Sequence, residues 1–223
     1  MNVGFGAVNS QGQPAITDIN AIRAVENLFI DNWESYPTER NSILDTIKNR
    51  NIKNTIFLTG DSHASWSFDL TKKPANYPNA ATANLPTPSS SYTASTGNGS
   101  VGIELATPSI TSANFDEAIG KATTAQFEYL INNPVTVGPP FGSVVYNPHL
   151  KYVDLDRHGY FILDLKDDSA QADYFYVDTL RISSNKEKFG RGVVTANNSN
   201  RIIEHDSNIN IYSCQIREIS NRI

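Results

Sequence analysis

The run TIFLTGDSHASW, from Thr55 to Trp66, drives an apolar stretch straight into Gly60, Asp61, Ser62 and His63. A carboxylate, a hydroxyl and an imidazole at consecutive positions offer two chemistries. Ser62 could act as a nucleophile in acyl transfer, which requires a histidine base and an orienting carboxylate because a neutral hydroxyl is a poor nucleophile. Alternatively, Asp61 and His63 could ligate metal for phosphoester hydrolysis. Two residues apart in a tight loop, they can serve one metal or two adjacent metals. A carboxylate suits a hard cation such as Ca²⁺, and an imidazole suits iron or zinc. The structural alternative is a capping aspartate beside a satisfied loop histidine.

The elements around this run must aim it. Ile56, Phe57 and Leu58 form a short apolar strand expected to be buried on both faces. Before it, the spacing predicts a loop over 1–16, a helix from Asp18 to about Asn32, and a second helix opening at Pro37, with Ile43, Leu44 and Ile47 on one face and basic residues at its end. Helix followed by buried strand is the pattern of an α/β layer. It places residues 60–63 at the carboxyl end of a strand, where open α/β sheets build their sites.

Trp66, Phe68 and Leu70 alternate with Ser and Asp, as a further extended segment. A long loop is expected over about 72–100, a strand with a Pro-containing exit over Val101–Ser112, and a helix from Phe115 to about Asn133 weakened by Gly120. NPVTVGPPFG reads as a loop. Antiparallel strands follow, with turns at Arg157–Gly159 and Asp167–Ser169, and a tail is expected over 184–223. His149 and His158 read as residues of strand ends or turns.

Composition narrows the classes. The 223 residues carry a net charge of −5 with 18% charged and 39% hydrophobic side chains, so a globular fold without a nucleic-acid-binding patch is expected. No apolar run approaches the roughly 20 residues of a membrane span. One cysteine, Cys214, leaves no internal disulfide and no Cys-based zinc site. The first residues lack the basic and apolar blocks of a signal peptide.

Gly-Asp-Ser after an apolar strand resembles the first block of GDSL-type serine esterases, which would make Ser62 the nucleophile. The remainder departs from that pattern. Tyr146, Leu155 and Ile202 stand three residues before His149, His158 and His205, where an aspartate is required, and no Gly-x-Asn-Asp block exists.

A second resemblance has more residues behind it. The blocks DNWESYPTER, LTGDSHASWSFDL, VGIELATPSITSANF and NPHLKYVDLDRHGYFILDL…YFYVDTL occur in this order across roughly residues 28–182. Together they resemble the C-terminal half of the PhoD-like alkaline phosphatases, the alkaline phosphatase D family. The resemblance implies an α/β (α+β) fold, the C-terminal half of a metallophosphoesterase-type α/β/β/α sandwich of mixed sheets, occupying 1–183. It implies metal-dependent hydrolysis of phosphate monoesters and diesters, with iron and calcium as cofactors and an extracytoplasmic (periplasmic or secreted) setting. The family's Gly-Asp-x-His block falls on Gly60–His63. Asp61 and His63 are thereby the candidate catalytic residues and metal ligands, Asp61 to calcium and His63 to iron. Ser62 becomes a spacer, and Gly60 the residue permitting a tight turn. Trp33 and Tyr36, in the first block, are candidate substrate-binding residues at the site entrance. The Thr107-Pro108-Ser109 stretch is either part of that surround or packing.

The family's other ligands come from earlier blocks that have no counterpart before Asp61. Asp18 and Asp31 lack the strand–loop context those blocks need. The expectation is therefore a C-terminal portion that requires an N-terminal half for full metal binding, or else a noncatalytic remnant or binding module of the same fold.

Overall fold

The alternation in SWSFDL sets the layering. In the computed structural model, which describes residues 33, 36–76, 86–138 and 142–205, these residues form strand β2 (Ser65–Leu70). Trp66 and Phe68 point to one face and join a core with Ala106, Ile131, Leu150, Val153 and Leu155, against which Phe115 and Phe127 pack. Ser65, Ser67 and Asp69 point to the other face yet are equally buried, because a second sheet covers them. The Ser65 hydroxyl meets Tyr176 Oη at 2.7 Å, and the Ser67 hydroxyl meets Tyr174 Oη at 3.0 Å. Small hydroxyls on one sheet thus satisfy buried tyrosines on the other, as buried polar groups require.

The first sheet is β1 (Ile56–Thr59), β5 (Gly102–Ala106), β2 and β8 (Leu150–Asp154), in the order β1-β5-β2-β8. β1 and β5 run parallel and the other pairs antiparallel. Between them in sequence lie the short strands β3 (Ala75–Asn76) and β4 (Thr87–Pro88), which pair with each other. The second sheet is antiparallel: β9 (Gly159–Leu165), β10 (Ser169–Val177), β11 (Glu187–Ala196) and β12 (Ile203–His205), in the order β12-β11-β10-β9. Its inner face contributes Ala172, Tyr174, Tyr176 and Val193 to a second core, shared with Ile103, Leu105 and Tyr152 of the first sheet. Helix α1 (Pro37–Asn49) begins on proline and buries Leu44 and Ile47. Helices α2 (Phe115–Ile119) and α3 (Lys121–Asn132) cover the Trp66 face. The mixed α/β sandwich expected from the sequence is therefore the observed class. Among the described residues no helix is long and apolar enough to cross a membrane.

Several local expectations are corrected. β1 is not buried on both faces: among the described residues it is the edge of its sheet, and Leu58 is 59% exposed. Ile56 reaches the inter-sheet core and Phe57 is met by Trp33, but Leu58 has no such cover among the described residues. The helix expected over 115–133 divides at Gly120, whose φ of 84° is left-handed. NPVTVGPPFG is not only loop, because β6 (Val135–Gly138) pairs with β7 (Gly142–Val144). The long segment 72–100 is structured where it is described. It carries β3 and β4, and Tyr92 is buried with its hydroxyl donating to Asp69 at 2.7 Å. Strands β11 and β12 occupy part of the stretch expected as tail. The Arg157–Gly159 turn joins two sheets rather than two paired strands, since β8 pairs with β2 and β9 with β10. The helix expected over 18–32 and the loop over 1–16 lie outside the described residues. His149 does sit at a strand end, just before β8, with its ring 5.3 Å from that of Phe68.

Asp69 fastens three segments. It accepts from Tyr92 Oη and from the Ile202 N–H, and lies 3.5 Å from Lys151 Nζ. Lys151 reaches it because a bulge in β8 leaves that residue unpaired between Leu150 and Tyr152. Burial pushes the Asp69 carboxyl above its ordinary value, against the opposing pull of Lys151 and the two hydrogen bonds. A raised folded value contributes stability that is fully present below the ordinary aspartate range and is lost as pH rises through the folded value. Wild type is therefore expected to lose stability relative to Asp69→Asn as pH rises across that window. The unfolding-midpoint difference against pH checks the sign; a gain for wild type over the same window would contradict it.

Candidate functional site

Two parallel strands end side by side. β1 and β5 leave the sheet at Thr59 and Ala106, which face each other in register. Their exit loops stay bonded beyond the sheet: the Thr107 N–H donates to the Thr59 carbonyl at 3.0 Å, and the Ser109 N–H donates to the His63 carbonyl at 3.0 Å. The Gly60–His63 loop is thus held against the Thr107–Ser109 loop, at the end of the sheet where α/β folds place ligands.

The turn within the first loop is tight. The Ser62 N–H donates to the Gly60 carbonyl at 2.8 Å, which closes a three-residue γ-turn. Its central residue, Asp61, has φ 66°, and His63 has φ 61°. Asp and His enter the left-handed region more readily than most side chains, and such conformations persist mainly where surrounding structure over-determines them, often at functional sites. Gly60 itself is not in that region, and a Cβ there would meet Thr107 Cγ2 at 3.4 Å, an ordinary contact. The tight turn expected at Gly60 is centred on Asp61.

Asp61 is exposed and His63 half-buried. His63 Nδ1 lies 2.6 Å from the Ala113 carbonyl. A carbonyl can only accept, so Nδ1 carries the proton, and Nε2 is the lone-pair nitrogen of the neutral ring. A metal-ligating imidazole commonly has this arrangement, one nitrogen held by a carbonyl or carboxylate and the other free to ligate. The Asp61 carboxylate and His63 Nε2 therefore fit the role of metal ligands. Among the described residues no group of three or more His, Cys, Asp or Glu is placed to hold a metal ion.

Ser62 is engaged elsewhere. Its hydroxyl accepts the Trp66 indole N–H at 3.0 Å and points toward the Ala64 carbonyl at 3.5 Å. Neither partner is a base, so the hydroxyl lacks what a serine nucleophile needs. Trp33 lies beside β1, and Tyr36 stands just before α1 with its N–H donating to the Trp33 carbonyl at 3.1 Å. The Trp33 ring meets Phe57 edge-on at 5.3 Å; Trp33 is 37% exposed and Tyr36 58%. The structure joins Asp61 and His63 in one loop; the Trp33 ring contact is to a residue four positions upstream of Asp61. A cavity of about 20 Å³ between α1 and the first sheet is edged by Arg40, Phe68, Glu104 and His149. It has room for about one water molecule and none for a phosphoester.

The loop's supports are Ser109, from the stretch whose role the sequence left open, and the Ala113 carbonyl and Glu117, which the sequence did not single out; His63 itself is met by Ser109 and Ala113. One of them carried a readable signal: Asn114 and Glu117 have capping-box spacing, and the box forms, with the Asn114 N–H donating to Glu117 Oε2 at 2.7 Å.

One stretch is 44% identical over 41 residues to alkaline phosphatase D of Bacillus subtilis (strain 168), covering 18% of this chain and 7% of that protein. A solved structure titled "Structure of PhoD" shares the fold, with a TM-score of 0.53 at 22% identity over 81% of this chain and 27% of that one. The chain therefore spans well under a third of either relative. The family model described as PhoD-like phosphatase matches residues 5–174. The chain belongs to the PhoD-like phosphatase family.

Proposed function

We propose that this chain contributes Asp61 and His63 to the metal centre of a phosphoesterase acting on phosphate monoesters and diesters. The observation that carries the proposal is the Nδ1 contact to Ala113, which leaves Nε2 of His63 as a lone pair in the same tight loop as an exposed carboxylate. By ligand hardness Asp61 goes to calcium and His63 to iron. When bound, such metals supply Lewis acidity toward phosphoryl oxygens. The chain's own part is to fix the imidazole tautomer, hold the carboxylate two residues away, and keep both at the carboxyl ends of β1 and β5. Since the described donor set has two members, we assign the remaining ligands to residues beyond it, either outside the described residues or on an N-terminal half. Trp33 and Tyr36 are proposed to border the substrate entrance. The family resemblance supports an extracytoplasmic setting.

Ser62→Ala tests this reading against the esterase alternative. The expected result is retained turnover of a chromogenic phosphate ester, with a stability loss of about 0.5–1.5 kcal/mol for the indole hydrogen bond. Loss of turnover in Ser62→Ala, with activity kept in Asp61→Asn and His63→Ala, would overturn it. Metal binding without turnover in any form of the protein would favour a noncatalytic binding module.

A further inference from the structure

We infer that His158 is a positioning residue for His63, acting through the segment that carries the Ala113 carbonyl. The inference rests on the reading of His63 as a metal ligand. Ala113 lies between two anchored points. At one end, the Ser109 N–H holds the His63 carbonyl, and the Ser109 carbonyl accepts from the Gly159 N–H at 2.9 Å. The Ser109 hydroxyl has one hydrogen, and the Ser112 carbonyl at 2.6 Å takes it. His158 Nδ1, 3.2 Å from the same oxygen, must then be the donor of that pair. At the other end, Glu117 caps helix α2 through the Asn114 N–H, and its Oε2 also lies 3.6 Å from His158 Nε2.

The imidazole is therefore hydrogen-bonded to the Ser109 end of the segment and stands beside Glu117 at the other. Its side chain is only 12% exposed, while that of Glu117 is 47% exposed, so the enclosed contact is the one to Ser109. The Asn114 side-chain amide reaches the Arg157 carbonyl, next to His158, at 3.4 Å. These contacts fix where the Ala113 carbonyl stands, and that carbonyl selects the tautomer and rotation of His63. Partners one bond removed from a metal ligand typically change metal affinity or activity by about 10–100-fold when removed.

The test is ¹⁵N spectroscopy of the His63 imidazole in the full chain without metal, at mildly alkaline pH, joined to a Co²⁺ titration. Wild type is expected to show a single His63 tautomer protonated at Nδ1. In His158→Ala the ring should become a tautomer mixture and bind Co²⁺ more weakly, by up to about 10-fold, with β-sheet content kept. His158→Asn places an amide donor near Ser109 and should restore the single tautomer. If His158→Ala does not fold, Ser109→Ala carries the test, because it removes the hydroxyl that His158 Nδ1 donates to; partial loss of the tautomer lock is expected. An unchanged His63 tautomer in the folded variants, or a wild-type ring protonated at Nε2, would overturn the inference. If His158→Ala releases the tautomer while His63→Ala leaves Co²⁺ affinity unchanged, the positioning role stands and the ligand reading fails.

Discussion

His63→Ala and Asp61→Asn are each expected to lower phosphoester turnover by at least about 100-fold in any form of the protein that shows it. That figure is the upper end of what loss of a ligand's own supporting partner costs, and loss of the ligand itself should exceed it. The fold should survive both changes. Asp61 is exposed and sits at φ 66°, a conformation asparagine accepts readily, so Asp61→Asn removes charge without backbone strain. His63→Ala places alanine at φ 61°, which costs roughly 1–2 kcal/mol, a minor part of a domain's stability. Steady-state kinetics alongside circular dichroism would separate the two effects. Turnover within about threefold of wild type in both folded variants would remove these residues from the site.

The largest effect on stability is expected from Trp66→Ala, a loss of about 3–5 kcal/mol. The ring is 1% exposed and lies between Phe68, stacked at 5.9 Å, and Phe115, edge-on at 6.4 Å. Removing it opens the core between the first sheet and helices α2 and α3. It also removes the indole N–H that tethers Ser62, so the Gly60–His63 loop should loosen along with the core. Urea unfolding measures the first effect, and amide exchange at residues 61–63 the second. A stability loss under about 1 kcal/mol would mean that the core closes around the gap far better than the packing implies.

Much of this was legible in the residues. SWSFDL announced a strand by alternation, Pro37 announced a helix start, and the apolar run before Gly60 placed the site at a strand end. Burial of the polar half of β2 was not legible. Ser65 and Ser67 look like a solvent face until Tyr174 and Tyr176, more than 100 residues later in the chain, arrive to pair with them. The edge position of β1 was hidden for a similar reason. Ile56–Leu58 reads as doubly buried, yet which face is covered depends on where the second sheet ends. β11 was missed because Glu187–Gly192 is charged and glycine-rich; Arg191 and Phe189 enter the sheet through register with Tyr174 and Phe175. Within the candidate site, the family resemblance pointed to Asp61 and His63, and the choice of His63 nitrogen depends on a carbonyl 50 positions away, which no local pattern encodes.

The most direct test of the central claim is a titration of the purified chain with Co²⁺, following the imidazole nitrogens of His63 and the carboxylate of Asp61 by NMR. The account predicts that both residues respond together, that Nε2 of His63 is the perturbed nitrogen while Nδ1 keeps its proton, and that Asp61→Asn and His63→Ala each weaken the binding. Perturbation at Nδ1, or Co²⁺ binding that leaves both residues unmoved and both variants at wild-type affinity, would contradict it.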